Sequence, residues 1–342
     1  MTRRFAVFFA FAGSLSLAIA ASGLRAQAPD TPQAHTAAAQ AAAGQDFQGA
    51  LRRVCPGQPQ TAAPAAGRGA PAAGRGAPAA ATPRQAPPTE QWHAEPMKVF
   101  DNMYFLGTKE HGAWAVSTSE GLIVIDALYD YAVIDEVEGG LKKLGLDPTK
   151  IKYLVVSHGH GDHHGGAKYL QDKYRPKVVL GPADWDLVER DTRTPKPTRD
   201  ISATDGQKIT LGDTTITLYI TPGHTPTTIS MLVPVKDQGR PHVAASWGGT
   251  AITAGTPPET LKAYINSAAR FRDVAARAGA DVIFTNHTDF DRTLDKLSAL
   301  AARKPGAPNP YVIGADGVKR YLTVVEECAK AMLLTVNTQK KP

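Results

Sequence analysis

The 342-residue chain is poor in cysteine, with only Cys55 and Cys328. Neither stands in a C-x-x-C or similar metal-ligand pattern, so a thiolate metal site is excluded. The pair could join in an exported protein, but Cys55 falls in a segment expected to lack structure, and spacing alone decides nothing. Charge is also scarce where it would matter. The formal net charge of +6 is concentrated in Arg3, Arg4 and Arg25 and in the arginines of residues 27–90, and the chain is nearly neutral from residue 91 onward. An electrostatic footprint for nucleic acid is therefore missing, and nucleic-acid binding is excluded.

One apolar run opens the chain, from Phe5 to about Ala21, behind Arg3 and Arg4 and ahead of small residues. This is the layout of a secretory signal peptide over residues 1–28, with cleavage near Ala26 or Ala28. The run is short for a spanning helix. The expectation is a periplasmic or secreted protein with no integral membrane span once the signal is removed. Residues 29–90 are Ala, Pro, Gly and Gln with few large apolar groups, and "PAAGRGA" occurs twice in tandem at 64–70 and 71–77. Such a stretch buries too little apolar surface to offset its ordering entropy, so it reads as a disordered linker. Within it, "DFQGALRRVC" at 46–55 has the pattern of a short helix with no evident role.

Past residue 91 the texture changes to a single domain, 91–342. "NMYFLGT", "AWAVST", "GLIVIDA" and "KYLVVS" are short β-branched and aromatic runs between Gly and Asp, as strands would be. Segments at helical spacing alternate with them, notably around 132–145, 166–174, 182–191, 258–278, 291–302 and 316–334. The order of elements predicts a layered αββα or αβα domain with its functional turns at strand ends.

Histidine is scarce too, ten in all, yet four fall in "SHGHGDHHGG" at 157–166. His158 and His160 leave a buried strand with Gly159 between them, and a tight backbone lets both imidazoles reach one point. Asp162 and His163 are adjacent, point differently, and suit a second point close by. His224 in "TPGHTP" and His287 in "IFTNHTD" stand on two further turns at strand ends. Three ligands for each of two metals require six residues, and His158, His160, His224, Asp162, His163 and His287 make six. Imidazole and carboxylate without thiolate favour zinc, although iron, manganese or cobalt suit similar sites.

The H-x-H-x-D-H run, the P-G-H-[ST] turn and the late histidine resemble the metallo-β-lactamase superfamily, from Met97 to the late 320s. The resemblance implies a four-layer αββα sandwich with the site along the edge between two sheets. It assigns His158, His160 and His224 to a first zinc and Asp162, His163 and His287 to a second, and it makes Asp126 a support for the metal loop. Many hydrolases of this family, glyoxalase II and the lactonases among them, carry a bridging Asp on the strand before the last histidine, and two β-lactamase subclasses carry a Cys. Here that strand reads "HVAASWGGTA", with neither. The pattern is most similar to the β-lactamase subclass with only His and Asp as zinc ligands. Ser246 stands where that subclass often has serines for the β-lactam carboxylate, but Trp247, Gly248 and Gly249 follow as a departure. His111 in the "GTKEHGAW" loop, His164 and Trp247 are further candidates for the pocket or its supports, while Trp185 and Trp247 suit either core or pocket wall.

The resulting expectation is an exported dinuclear zinc hydrolase acting on a small molecule. A hydroxide held on zinc would attack, with Asp162 orienting it and moving its proton. Opening of a cyclic amide, as in a β-lactam, leads; an ester, lactone or other amide is the close rival. An iron-dependent oxygenase is the reading from another class. His160, where a Glu would point to the di-iron electron-transfer branch, argues against that branch.

Overall fold

The structure, a computed structural model, describes residues 30–55, 57 and 86–339. The signal segment 1–28 and the tandem repeat lie outside the described residues. Two sheets form the centre. The first runs β1 (Met97–Lys98), β2 (Met103–Phe105), β3 (Trp114–Thr118), β4 (Gly121–Ile125), β5 (Ile151–Val155), β6 (Lys177–Leu180) and β7 (Ile201–Ser202) in sequential order. Its first four strands are an antiparallel meander, and β4 to β7 pair in parallel. The second contains β8 (Lys208–Leu211), β9 (Thr214–Ile220), β10 (Ile229–Asp237), β11 (Arg240–Ser246) and β12 (Val282–Ile283); all pairs are antiparallel except β11 with β12.

Strand composition follows from burial on both faces. β4 is a near-continuous apolar run because both its faces are covered, and β5 is buried likewise at Leu154 and Val155 beyond the exposed Lys152. Ile123, Ile125 and Val155 face Ile216, Leu218, Met231 and Val233 of the second sheet and fill the space between the sheets. The alternate residues Leu122, Val124 and Leu154 pack outward against Val133, Val137, Leu141, Leu170 and Trp185. On the far side, Leu232 and Ala245 pack against Leu261, Tyr264 and Phe271 and against Tyr321 and Leu322. The order of layers is helix, sheet, sheet, helix: the αββα sandwich expected. Among the described residues no helix is long and apolar enough to cross a membrane.

The linker expectation requires correction. Residues 32–43 form a helix, α1, and 48–54 a second, α2, both packed into the outer core with Phe47, Leu51 and Val54 buried against the C-terminal helix Gly314–Gln339. Thr31 caps α1 through its side chain, which accepts from the Ala34 amide, and Pro32 sits at the first turn, where its missing N–H costs nothing. Alanine offers little apolar area per residue, but its small side chain lets Ala39 and Ala43 pack, fully buried, in the outer core. The folded domain thus includes residues 30–55, and 58–85 lies outside the described residues. Cys55 and Cys328 are joined, closing a sequence separation of 273 residues.

Breaking this bridge should release the N-terminal segment. The expected outcome for Cys328→Ser is a loss of about 2–4 kcal/mol in urea unfolding, as for other structural disulfides, with early proteolytic cleavage N-terminal to residue 57.

Candidate metal centre

The site is built where strands of both sheets end. β5 runs into the 156–160 turn and the one-turn helix α5 (Gly161–His164); β9 ends at the "TPGHTP" turn; β12 ends at the 284–288 turn. Gly159 is required at the first of these by close approach. A Cβ there would lie 2.8 Å from the Asp184 carbonyl oxygen, so the reason is crowding rather than an unusual dihedral.

The turns bring His158, His160 and His224 together, and Asp162, His163 and His287 together, with the ligand-type atoms of each trio within 4.8 Å of one another. In the first trio, His158 donates Nδ1–H to the Gly248 carbonyl at 2.9 Å, and His224 donates Nδ1–H to the Ala251 carbonyl at 2.5 Å. Each ring is thereby left with a bare Nε2. Those two Nε2 atoms face each other at 3.0 Å, and His160 Nδ1 lies 3.1 Å from His224 Nε2. Two lone pairs cannot hydrogen-bond to each other, so the arrangement asks for a shared cation. Removal from water keeps both rings neutral: burial, with the neighbouring imidazoles, holds His158 well below its usual pKa and His224 down to about 3.

The second trio centres on the Asp162 carboxylate. Its Oδ2 lies 3.4 Å from His163 Nε2 and 3.5 Å from His287 Nε2. Burial works against ionisation there, but the His163, His111 and His287 rings hold the carboxyl well below its usual range. His163 gives its Nδ1–H to Asp126 at 2.9 Å and turns a fully buried Nε2, without a hydrogen-bond partner, into the site. Against the opposing effect of burial, Asp162 and Asp126 push this ring up to about 10, so an incoming cation would displace a proton. Donor type, spacing and an orphaned nitrogen all fit a zinc pair.

Asp126 stands at φ +59° just past β4. It accepts from the Ser157 amide at 2.6 Å, the Ser157 hydroxyl at 2.9 Å and His163, and so clamps the turn at both ends. The five other candidates, His111, His164, Trp185, Ser246 and Trp247, are all buried. His111, on its loop, has its Nε2 3.5 Å from Asp162 Oδ2. His164 is fully buried with Nε2 3.8 Å from Asp191 Oδ2. Trp247 lies in the core, donating to the Tyr264 hydroxyl at 3.2 Å, and Trp185 is buried under the first sheet. Ser246 is buried at the end of β11, paired with Met231, on the face opposite to Trp247 by strand alternation. On this loop Gly249 abuts the first trio: a Cβ there would stand 2.5 Å from the His224 side chain.

Three contributors were missed in the sequence. Asp184, fully buried in the first turn of the helix Pro182–Arg190, accepts from the Gly159 amide at 2.7 Å through one oxygen. Its other oxygen accepts from the Thr227 amide at 2.9 Å and hydroxyl at 2.7 Å. It therefore ties the His158/His160 turn to the His224 turn. Asn286 donates to Gly248 O at 2.8 Å, the same carbonyl that orients His158. From α2, Arg53 reaches Asp289 at 3.5 Å and Glu110 at 3.7 Å, tying the segment after His287 to the 107–112 loop. An Asp in a helix's first turn has an ordinary explanation, so no sequence signal marked Asp184.

Asp184→Ala should lower zinc affinity at the first trio by about 10–100-fold, as loss of a ligand-orienting contact does, and leave the second trio's affinity unchanged in a competitive chelator titration.

Comparison with known proteins agrees with this geometry. The family model described as the metallo-beta-lactamase superfamily matches residues 110–237. Among solved structures, a subclass B3 metallo-β-lactamase of Bradyrhizobium japonicum is 26% identical, with a TM-score of 0.62, covering 73% of this chain and 98% of that one. The native metallo-β-lactamase from Legionella gormanii is 23% identical, with a TM-score of 0.64 and the same two coverages. Among curated proteins, a hydroxyacylglutathione hydrolase of Xanthomonas axonopodis pv. citri is 28% identical over 136 residues, which is 40% of this chain and 44% of that protein. The chain thus spans less than half the length of that relative. Over residues 110–237 the chain matches the metallo-beta-lactamase superfamily, and its fold and the His/Asp trios at the sheet edge agree with that match.

Proposed function

We propose that the protein is a dinuclear zinc hydrolase that opens cyclic amides of the β-lactam type, and that it acts outside the cytoplasm after removal of its N-terminal signal. The observation that carries the metal reading is the convergence of bare imidazole nitrogens on His158 and His224 at 3.0 Å. His158, His160 and His224 would hold the first ion, and Asp162, His163 and His287 the second. Bound zinc supplies Lewis acidity toward a carbonyl oxygen and brings the pKa of a water from 15.7 to about 7.

The chain's own residues do the rest. Gly248 O and Ala251 O fix the tautomers of His158 and His224, so each presents Nε2 to the site without reorganisation. Asp126 holds the direction of the His163 ring, which gives up its proton when a cation arrives. Asp162 stays ionised and keeps Oδ2 among the imidazoles, which leaves Oδ1 to accept a proton from the attacking water and pass it to the departing nitrogen. Gly249, pressed against His224, leaves the space between the trios free of a protein side chain from that loop. This favours the His/Asp-only β-lactamase pattern over hydrolases with a bridging Asp, and the 26% identical subclass B3 relative supports the same choice. Thioester hydrolysis is the second reading, favoured by the hydroxyacylglutathione hydrolase relatives.

Purified protein loaded with zinc should hydrolyse nitrocefin, and a chelator should abolish turnover. Asp162→Asn should lower kcat by about 10²–10⁴-fold, the range for a lost proton-transfer group. Turnover of a hydroxyacylglutathione with none of nitrocefin would select the thioester reading instead.

A further inference from the structure

The two carbonyls that orient the first trio are not held alike. Gly248 is fixed twice over: its amide donates to the Ser230 hydroxyl at 3.1 Å, and its carbonyl accepts from Asn286 at 2.8 Å. Ala251, whose carbonyl orients His224, makes no hydrogen bond among the described residues except the one from that ring. A carbonyl free to turn would leave the choice of ring nitrogen open, so another group has to place it.

The neighbour Thr250 carries that placement. It is buried, and phenols from two different outer helices meet on it. Tyr264, on the helix Pro258–Arg277, donates its hydroxyl to Thr250 O at 2.7 Å. The direction is fixed, because the Tyr264 oxygen accepts from Trp247 Nε1 at 3.2 Å and an indole only donates. Tyr321, on the C-terminal helix, shares a hydrogen bond of 2.8 Å with the Thr250 hydroxyl. The Thr250 carbonyl lies in the peptide plane shared with Ala251, so holding it fixes the entry to Ala251. The buried Ile252 side chain fixes the exit.

A buried phenol ordinarily finds some partner. Two that converge on one threonine, next to a carbonyl that orients a histidine, go beyond that need. Burial pushes both phenols above their usual pKa, so both remain protonated across the neutral range. Phe47 meets the Tyr321 ring edge-on at 5.3 Å between centroids, which limits its swing.

We infer that Tyr264, Thr250 and Tyr321 form a positioning clamp that holds Ala251 O on His224, and so sets which nitrogen that ring presents to the first ion. The inference rests on the metal reading above for the ion, but not for the tautomer. The three residues act through Ala251 and not on the reacting atoms. The clamp is selective, since His158 keeps its own support through Gly248, Ser230 and Asn286.

The test uses the full chain with isotope-labelled histidine and nitrogen NMR at neutral pH. In the metal-free unmodified protein, His158 and His224 should each carry the proton on Nδ1. Thr250→Val and Tyr264→Phe should turn His224 into a mixture of tautomers and leave His158 unchanged. Thr250→Ser, which keeps the hydroxyl, should restore the single form. In chelator competition, Thr250→Val and Tyr264→Phe should weaken the first zinc site by at least about tenfold and leave the second unchanged. Folded variants with both the His224 tautomer and the first-site affinity intact would overturn the inference. Equal loss at His158 and His224 would also overturn it, because that marks general loosening. If neither variant folds, crystals of the unmodified protein decide: both phenol oxygens within about 3.5 Å of their Thr250 partners sustain the clamp, and either one beyond that range overturns it. An unmodified protein that takes up no zinc at the first trio would overturn the metal reading, while the tautomers would still decide the clamp.

Discussion

Lone pairs that converge on one small volume repel one another, and this chain directs at least six donor atoms into two such volumes. Removal from water makes the repulsion worse, since the screening is lost. The fold tolerates the arrangement because every imidazole whose partner is known is fixed from behind: His158 by Gly248 O, His224 by Ala251 O and His163 by Asp126. At His158 and His224 those contacts choose the tautomers, and the tautomers decide where the bare nitrogens point; at His163 the contact sets the direction of the ring. A cation is the group that turns this repulsion into attraction.

The supports are as non-local as the ligands. Asp126 leaves the end of β4, Asp184 sits on a helix after β6, Asn286 follows β12, and Arg53 arrives from the N-terminal helix pair that the Cys55–Cys328 bridge holds in place. Each links two turns that are distant in sequence, so the site is held by the sandwich edge as a whole rather than by one loop. A disulfide between α2 and the C-terminal helix therefore bears on the site as well as on stability, through Arg53, Glu110 and Asp289.

The sequence made the ligand turns legible because their chemistry is local. Four histidines and an aspartate within ten residues constrain one turn, and apolar runs with Gly stops mark the strands that deliver it. His111 was seen but not its nearness to Asp162, which depends on a bridge to His287 far along the chain. Trp247 looked like a pocket residue because it follows Ser246 at the strand end, and only the alternation of β11 sends it into the core. The helix pair at 32–54 was hidden by its composition. Alanine reads as too little hydrophobic surface, although its small size is what lets α1 lie close to the C-terminal helix.

The central claim is that this edge holds two divalent ions and not one. The most direct measurement is zinc content per chain after equilibration with zinc and removal of the excess, by mass spectrometry of the intact folded protein. The account predicts two zinc ions per chain, lost in two separable steps as a chelator is raised. Saturation at one ion, or at none, would contradict it.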